Sequence, residues 1–95
     1  MSGVGITLEF AEPFRSLYGS TVTVPAAGPG DASGVSVGDA LVRAGIPPSG
    51  LDGTDDPELS AFVTINGRAV PPEDRLSATV RDGDVVLFQL MLSGG

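Results

Sequence analysis

With 95 residues, 41% of them hydrophobic, the chain has material for one domain and one modest core; a unit of that size buries roughly 60–70% of the surface its unfolded form exposes. It contains no Cys and no His, and its five basic residues are all arginine, so thiolate and imidazole chemistry, iron–sulfur and ordinary zinc sites and Schiff-base lysines are excluded, leaving carboxylates as the only side chains suited to acid/base catalysis. A formal charge of −7 disfavours binding to a nucleic-acid backbone and favours a basic protein partner.

The N-terminus, Met1-Ser2-Gly3-Val4-Gly5, has neither the basic start nor the apolar stretch of a signal peptide, and no apolar run approaches the ~20 residues of a membrane span. A cytoplasmic protein with no membrane partner is the expectation. Gly5 to Phe10 places Ile6, Leu8 and Phe10 on one face and Thr7 and Glu9 on the other, the period of a half-buried strand. After Phe14 to Gly19, the stretch Ser20 to Val24 repeats the alternation and stops at Pro25, so the pair is expected to form a hairpin with an elaborated connection. Residues 26–34 are small and turn-rich and are expected to be a mobile loop.

The period then changes. Between Val35 and Gly45, Ser36 is placed to cap a helix, Asp39 follows three residues later as the capping-box acid, and Gly45 is placed to stop it. Val37, Ala40, Leu41 and Ala44 recur at three- and four-residue spacing and share a face, which has to lie across a sheet to be buried. A long loop follows over 47–58, with Leu51 as its anchor.

Ala61 to Ile65 forms the next strand and runs into Asn66-Gly67, the strongest two-residue hairpin signal; Arg68 to Val70 leaves the turn, and Pro71-Pro72 ends pairing. Asp82-Gly83 is expected to turn the chain into Asp84–Leu90, which is apolar almost throughout. Such a strand is expected in the middle of a sheet, covered on both faces. The fold class is therefore α+β, with a mixed four- to five-stranded sheet packed on one main helix. Residues 1–90 form the domain, and 91–95 form a flexible tail ending in Gly-Gly.

In order and spacing, the blocks ITLEFAEPFRSLYG (6–19), SVGDALVRAG (36–45), FVTINGRAV (62–70), VRDGDVVLF (80–88) and the final SGG resemble the ubiquitin-like β-grasp sulfur carriers, a family that includes the small subunit of molybdopterin synthase and the thiamine-biosynthesis sulfur carrier. The resemblance covers nearly the whole chain. It differs before the final residues, where many carriers have prolines and this chain has Gln89-Leu90-Met91-Leu92, and in the length of loops 26–34 and 47–58.

What the resemblance implies is a carrier and co-substrate with no catalytic residues of its own. Gly95 would be adenylated by a ubiquitin-activating-like adenylyltransferase using ATP, then converted to a thiocarboxylate. The sulfur would pass to a sulfur-accepting biosynthetic enzyme making a metabolite of molybdopterin, cysteine, thiamine or thiosugar type. No cofactor or metal is bound by the chain itself. Ser93 and Gly94 complete the tail, because residues with small or absent side chains can thread a narrow channel and glycine can take dihedrals closed to others. Phe88, Leu90, Met91 and Leu92 are the expected partner contacts beside it, with Phe88 also expected to carry core packing. Arg68 and Arg81 are candidate contacts to an acidic groove, and the pairs Asp55/Asp56 and Glu73/Asp74 are expected to be solvated loop acids rather than an acid/base site. Two other functions use the same chain differently: a modifier joined to target lysines through Gly95, and a non-covalent adaptor with an idle tail.

Overall fold

The computed structural model describes residues 5–25, 34–54 and 58–90. Along the chain it forms β1 (Ile6–Phe10), α1 (Phe14–Tyr18), β2 (Thr21–Val24), β3 (Val35–Ser36), α2 (Val37–Arg43), β4 (Ala61–Ile65), β5 (Arg68–Ala69), β6 (Thr79–Val80) and β7 (Val85–Leu90). Single turns of 3-10 helix stand at Pro48–Gly50 and Pro72–Asp74. No helix among the described residues is long and apolar enough to cross a membrane.

Five strands make one mixed sheet in the order β2-β1-β7-β4-β5. β7 stands in the middle, parallel to β1 on one side and antiparallel to β4 on the other. The turn before β7 is tied down. The Gly5 amide donates to Asp82 Oδ1 at 2.6 Å, and the Gly83 amide donates to the Gly5 carbonyl at 2.8 Å. Gly5 adopts φ +76°, and a Cβ there would lie 2.6 Å from the Val24 carbonyl oxygen, so the position requires glycine.

The Asn66-Gly67 hairpin forms as expected, with φ of 53° and 83°, the left-handed pair that a two-residue loop needs. Asn66 also locks onto the neighbouring turn. Its Oδ1 accepts from the Val85 amide at 2.9 Å and its Nδ2 donates to Asp84 Oδ1 at 3.0 Å.

The helix α2 is capped as its sequence dictates: the Asp39 amide donates to Ser36 Oγ at 3.0 Å. At its other end Gly45 turns left-handed at φ 80°, and the amides of Gly45 and Ile46 return to the carbonyls of Val42 and Leu41, a Schellman closure. Val37, Ala40 and Leu41 are buried and Ala44 packs at the edge of the same cluster, joined by Ile6, Leu8 and Phe10 of β1 and by Val86 and Phe88 of β7. Leu51 is buried there too, the anchor expected of its loop.

Two features differ from the sequence reading. The connection between β1 and β2 contains a helix, α1, which buries Phe14 against the core. Val35 and the capping Ser36 also form a short strand, β3, which the sequence reading did not foresee, paired antiparallel to β6 in a second, two-stranded sheet.

Candidate functional site

Strand β7 is the route by which the chain reaches its C-terminal residues, and its six residues alternate sharply. Val86 and Phe88 are fully buried against β1 and β4 partners; Leu90, in register with Ala61, packs at the edge of the same core. Phe88 lies parallel to Phe10, ring centroids 5.0 Å apart and planes 14° apart. This burial places Phe88 in the core, so it has no surface to offer the partner it was expected to meet. Met91, Leu92, Ser93, Gly94 and Gly95 lie outside the described residues.

The other three residues of β7, Val85, Leu87 and Gln89, point to the opposite face and retain solvent exposure. Register extends that face across the sheet: Thr7 and Glu9 of β1 lie beside Val85 and Leu87, and Phe62 and Thr64 of β4 lie beside Gln89 and Leu87. None of these residues joins the core cluster. The expectation that β7 is covered on both faces is therefore corrected. Central position and apolar composition are both observed, but among the described residues the helices pack on one face only. The apolar residues on the second face, Val85, Leu87 and Phe62, are only partly buried and lie outside the core cluster. Sequence reasoning missed this because an apolar strand with an open face and one with two buried faces have the same composition; the polar partners Thr7, Glu9 and Thr64 in the flanking strands were the available signal.

Around the end of β7 the structure is held firmly. The Ala11 amide donates to the Phe88 carbonyl at 2.9 Å. On the β4 side Arg75 donates from Nη1 to Ser60 Oγ at 2.7 Å and to the Ala61 carbonyl at 3.2 Å. Nearby, the hydrogen bond from Thr54 holds the Asp52 carboxyl below its ordinary range, opposed by partial desolvation and helped by the charge of Arg75. Helix α1 packs beside β1 and β7 and leaves Leu17 55% exposed. The end of β7 is thus hydrogen-bonded on both sides, to Ala11 after β1 and to β4.

Arg68 and Arg81 are exposed, and neither side chain makes a hydrogen bond or ion pair among the described residues. Arg68 is in register with Ile65, which puts it on the helix side of the sheet rather than on the open face. Glu73 and Asp74 are exposed in a 3-10 turn; Asp55 and Asp56 lie outside the described residues. Among the described residues no three metal-ligating side chains converge.

No family model matches the chain, and no curated protein matches it significantly. Solved structures do. Urm1 from Trypanosoma brucei superimposes with a TM-score of 0.64 at 21% identity, over 100% of this chain and 99% of that one. The HVO 2177 protein of Haloferax volcanii gives a TM-score of 0.57 at 28% identity, over 95% of this chain and 85% of that one. The fold is the ubiquitin-like β-grasp.

Proposed function

We propose that the chain is a sulfur carrier whose reactive group is the main-chain carboxylate of Gly95. The observation that carries this reading is the position of β7: a strand fixed on both sides in the middle of a ubiquitin-like sheet leads directly into Met91-Leu92-Ser93-Gly94-Gly95. From Met91 to Gly95 an extended chain reaches about 17 Å, enough to enter a partner's pocket while the globular body docks outside.

A carboxylate is a poor electrophile. In the first step a Gly95 carboxylate oxygen attacks the α-phosphorus of ATP on a ubiquitin-activating-like adenylyltransferase, forming the acyl-adenylate and releasing pyrophosphate. A sulfide-level nucleophile then attacks the acyl carbon, a C–S bond replaces the C–O bond, and AMP leaves with the electron pair. The resulting thiocarboxylate delivers sulfur to an accepting biosynthetic enzyme. Every step uses the partner's catalytic groups, which accounts for a chain that carries no Cys, His or Lys.

A protein modifier shares the first step and diverges at the second, where a target lysine displaces AMP and an amide forms. The present chain has no lysine to receive such a bond itself, so a modifier of this kind could extend only through its N-terminal amine.

The decisive assay is ATP–pyrophosphate exchange with the host's own activating enzyme. Wild type should support exchange, and deletion of Gly95 should abolish it, because the carboxylate then stops about 3.5 Å short of the nucleotide. Gly94→Val should act similarly by obstructing the channel, and Leu92→Asp should weaken binding to the enzyme. All three should melt with the wild type. Normal exchange by the Gly95 deletion refutes both carrier and modifier. Intact mass of the protein from its native host separates the two: a sulfur-for-oxygen replacement at Gly95 marks the carrier, an adduct on target lysines the modifier.

A further inference from the structure

Asn66 is the one asparagine of the chain, and Gly67 follows it on an exposed turn. Its side chain carries the ladder between β4 and β7 one step past the last strand pair, Ile65 and Val86. The Asn66 main-chain amide donates to the Val85 carbonyl at 2.8 Å, and Asn66 Oδ1 accepts from the Val85 amide at 2.9 Å, in the place a main-chain carbonyl would take in a continuing ladder. Asn66 Nδ2 donates to Asp84 Oδ1 at 3.0 Å, while Asp84 Oδ2 accepts from the Arg81 amide at 2.8 Å. Both ends of the side-chain amide are therefore held from the β7 side. The residue next to it leaves its own nitrogen unshielded: glycine has no Cβ, and a Cβ built at Gly67 would meet nothing within 4 Å.

We propose that Asn66 is a covalent modification site guarded by the fold: its spontaneous deamidation is held back while β7 grips the side-chain amide, and proceeds when the junction between the hairpin and β7 opens. The Gly67 main-chain nitrogen loses its proton to solvent base and attacks Asn66 Cγ. The new C–N bond closes a succinimide ring, the Cγ–Nδ2 bond breaks, and the departing nitrogen takes a proton from water and leaves as ammonia. Water then adds to one of the two imide carbonyls and opens the ring to aspartate or isoaspartate, so that one water enters and one ammonia leaves. Ring closure turns Cγ from β7 toward its own chain, which costs both side-chain hydrogen bonds. Two such bonds of ordinary net strength lower the population of the reactive arrangement about 10- to 100-fold. The product undoes the guard. Aspartate at this position keeps an acceptor for the Val85 amide but sets a second carboxylate against Asp84 where a donor stood, and isoaspartate adds a main-chain carbon to a two-residue turn.

Wild type and Asp84→Ala, each incubated at mildly alkaline pH in native buffer and in urea above the unfolding midpoint, test the proposal. Intact mass follows the amide-to-acid change, and peptide mapping assigns it to Asn66 rather than to Gln89, the one other side-chain amide, and separates aspartate from isoaspartate. Unfolded wild type should deamidate about 10- to 100-fold faster than folded wild type. Asp84→Ala, which releases Nδ2, should react several-fold faster than wild type in native buffer and at the wild-type rate in urea. Asn66→Asp, one of the two products, should melt several degrees below wild type. Circular dichroism establishes that Asp84→Ala is folded in native buffer; if it is not, the two wild-type rates decide alone. Equal rates for folded and unfolded wild type overturn the proposal, as does a faster reaction in the folded chain, which would make the turn a promoter. A folded Asp84→Ala that reacts no faster than wild type removes the hydrogen bond from the guard and overturns it likewise. No deamidation in urea means that Asn66 is not a modification site at all.

Discussion

Adjacent residues on β7 should respond to substitution in opposite ways. Phe88 is fully buried, stacked on Phe10 and in register with Val63, so Phe88→Ala opens a cavity between the central strands. Such truncations cost about 3–5 kcal/mol, of which the lost ring pair accounts for roughly 0.5–1.5 kcal/mol. A chain of this length has roughly 5–14 kcal/mol of stability in all, so the variant should be folded narrowly or not at all at room temperature. Leu87, one residue earlier, faces the open side. Leu87→Thr exchanges one strand-compatible residue for another and should cost about 0.5 kcal/mol. Urea unfolding followed by circular dichroism measures both. With a slope of about 1.5 kcal/mol per molar, the midpoint should fall by about 2–3 M for Phe88→Ala and by less than ~0.5 M for Leu87→Thr, with the slope unchanged. Equal losses would refute the open face, showing that something covers Leu87 as thoroughly as the core covers Phe88.

Gly5→Ala should cost about 2 kcal/mol or more, since the new methyl meets the Val24 carbonyl at a positive φ; thermal melting detects this as a fall of several degrees, and an unchanged melting temperature contradicts the geometry. Asn66→Gly keeps the turn conformation but loses both bonds to the start of β7, at about 1 kcal/mol, whereas Asn66→Ala adds backbone strain and should be the more damaging in the same urea assay. Asp52 has a folded-state pKa below its ordinary value because of its hydrogen bond with Thr54, so its small contribution is present above the unfolded value of about 4 and is lost as pH falls through the lower folded one. Asp52→Asn should therefore be slightly less stable than wild type at pH ~7, with the gap closing near pH ~2; a gap that widens on acidification has the wrong sign.

The parts of the fold legible in the sequence are those whose signals are local and strong. Ser36, Asp39 and Gly45 mark α2 because caps are made by side chains and dihedrals within one turn, and Asn66-Gly67 marks its hairpin because few residue pairs accept two positive φ angles. Helix α1 was hidden because five residues are too few to establish a 3.6-residue period against the turn chemistry around it. The pairing of β3 with β6 was hidden for a different reason: two-residue strands have no alternation, and Val35-Ser36 adjoins a helix start. Nothing local announces that Gly5 abuts Val24 or that Asp82 receives its amide, since both contacts are made across the fold. For the candidate site, composition correctly put β7 at the centre of the sheet, but only the register of β1 and β4 shows which residues share its second face, the one left outside the core cluster of the described residues. The residue expected to react, Gly95, and its tail partners Ser93 and Gly94 lie outside the described residues.

The parallel ladder between β1 and β7 joins residues nearly the whole chain apart, and β7 also separates the two hairpins from each other. During synthesis, therefore, the halves β2-β1 and β4-β5 have no common sheet until Val85 to Leu90 have left the ribosome, and closing that long loop is the slow step that distant pairings impose. A chain cut short before β7 has a core missing Val86 and Phe88 and lacks the strand that joins its two hairpins into one sheet, although β3 can still pair with β6. Folding thus serves as a completeness check: a molecule compact enough to escape proteolysis and meet a partner has already been synthesised to within a few residues of Gly95.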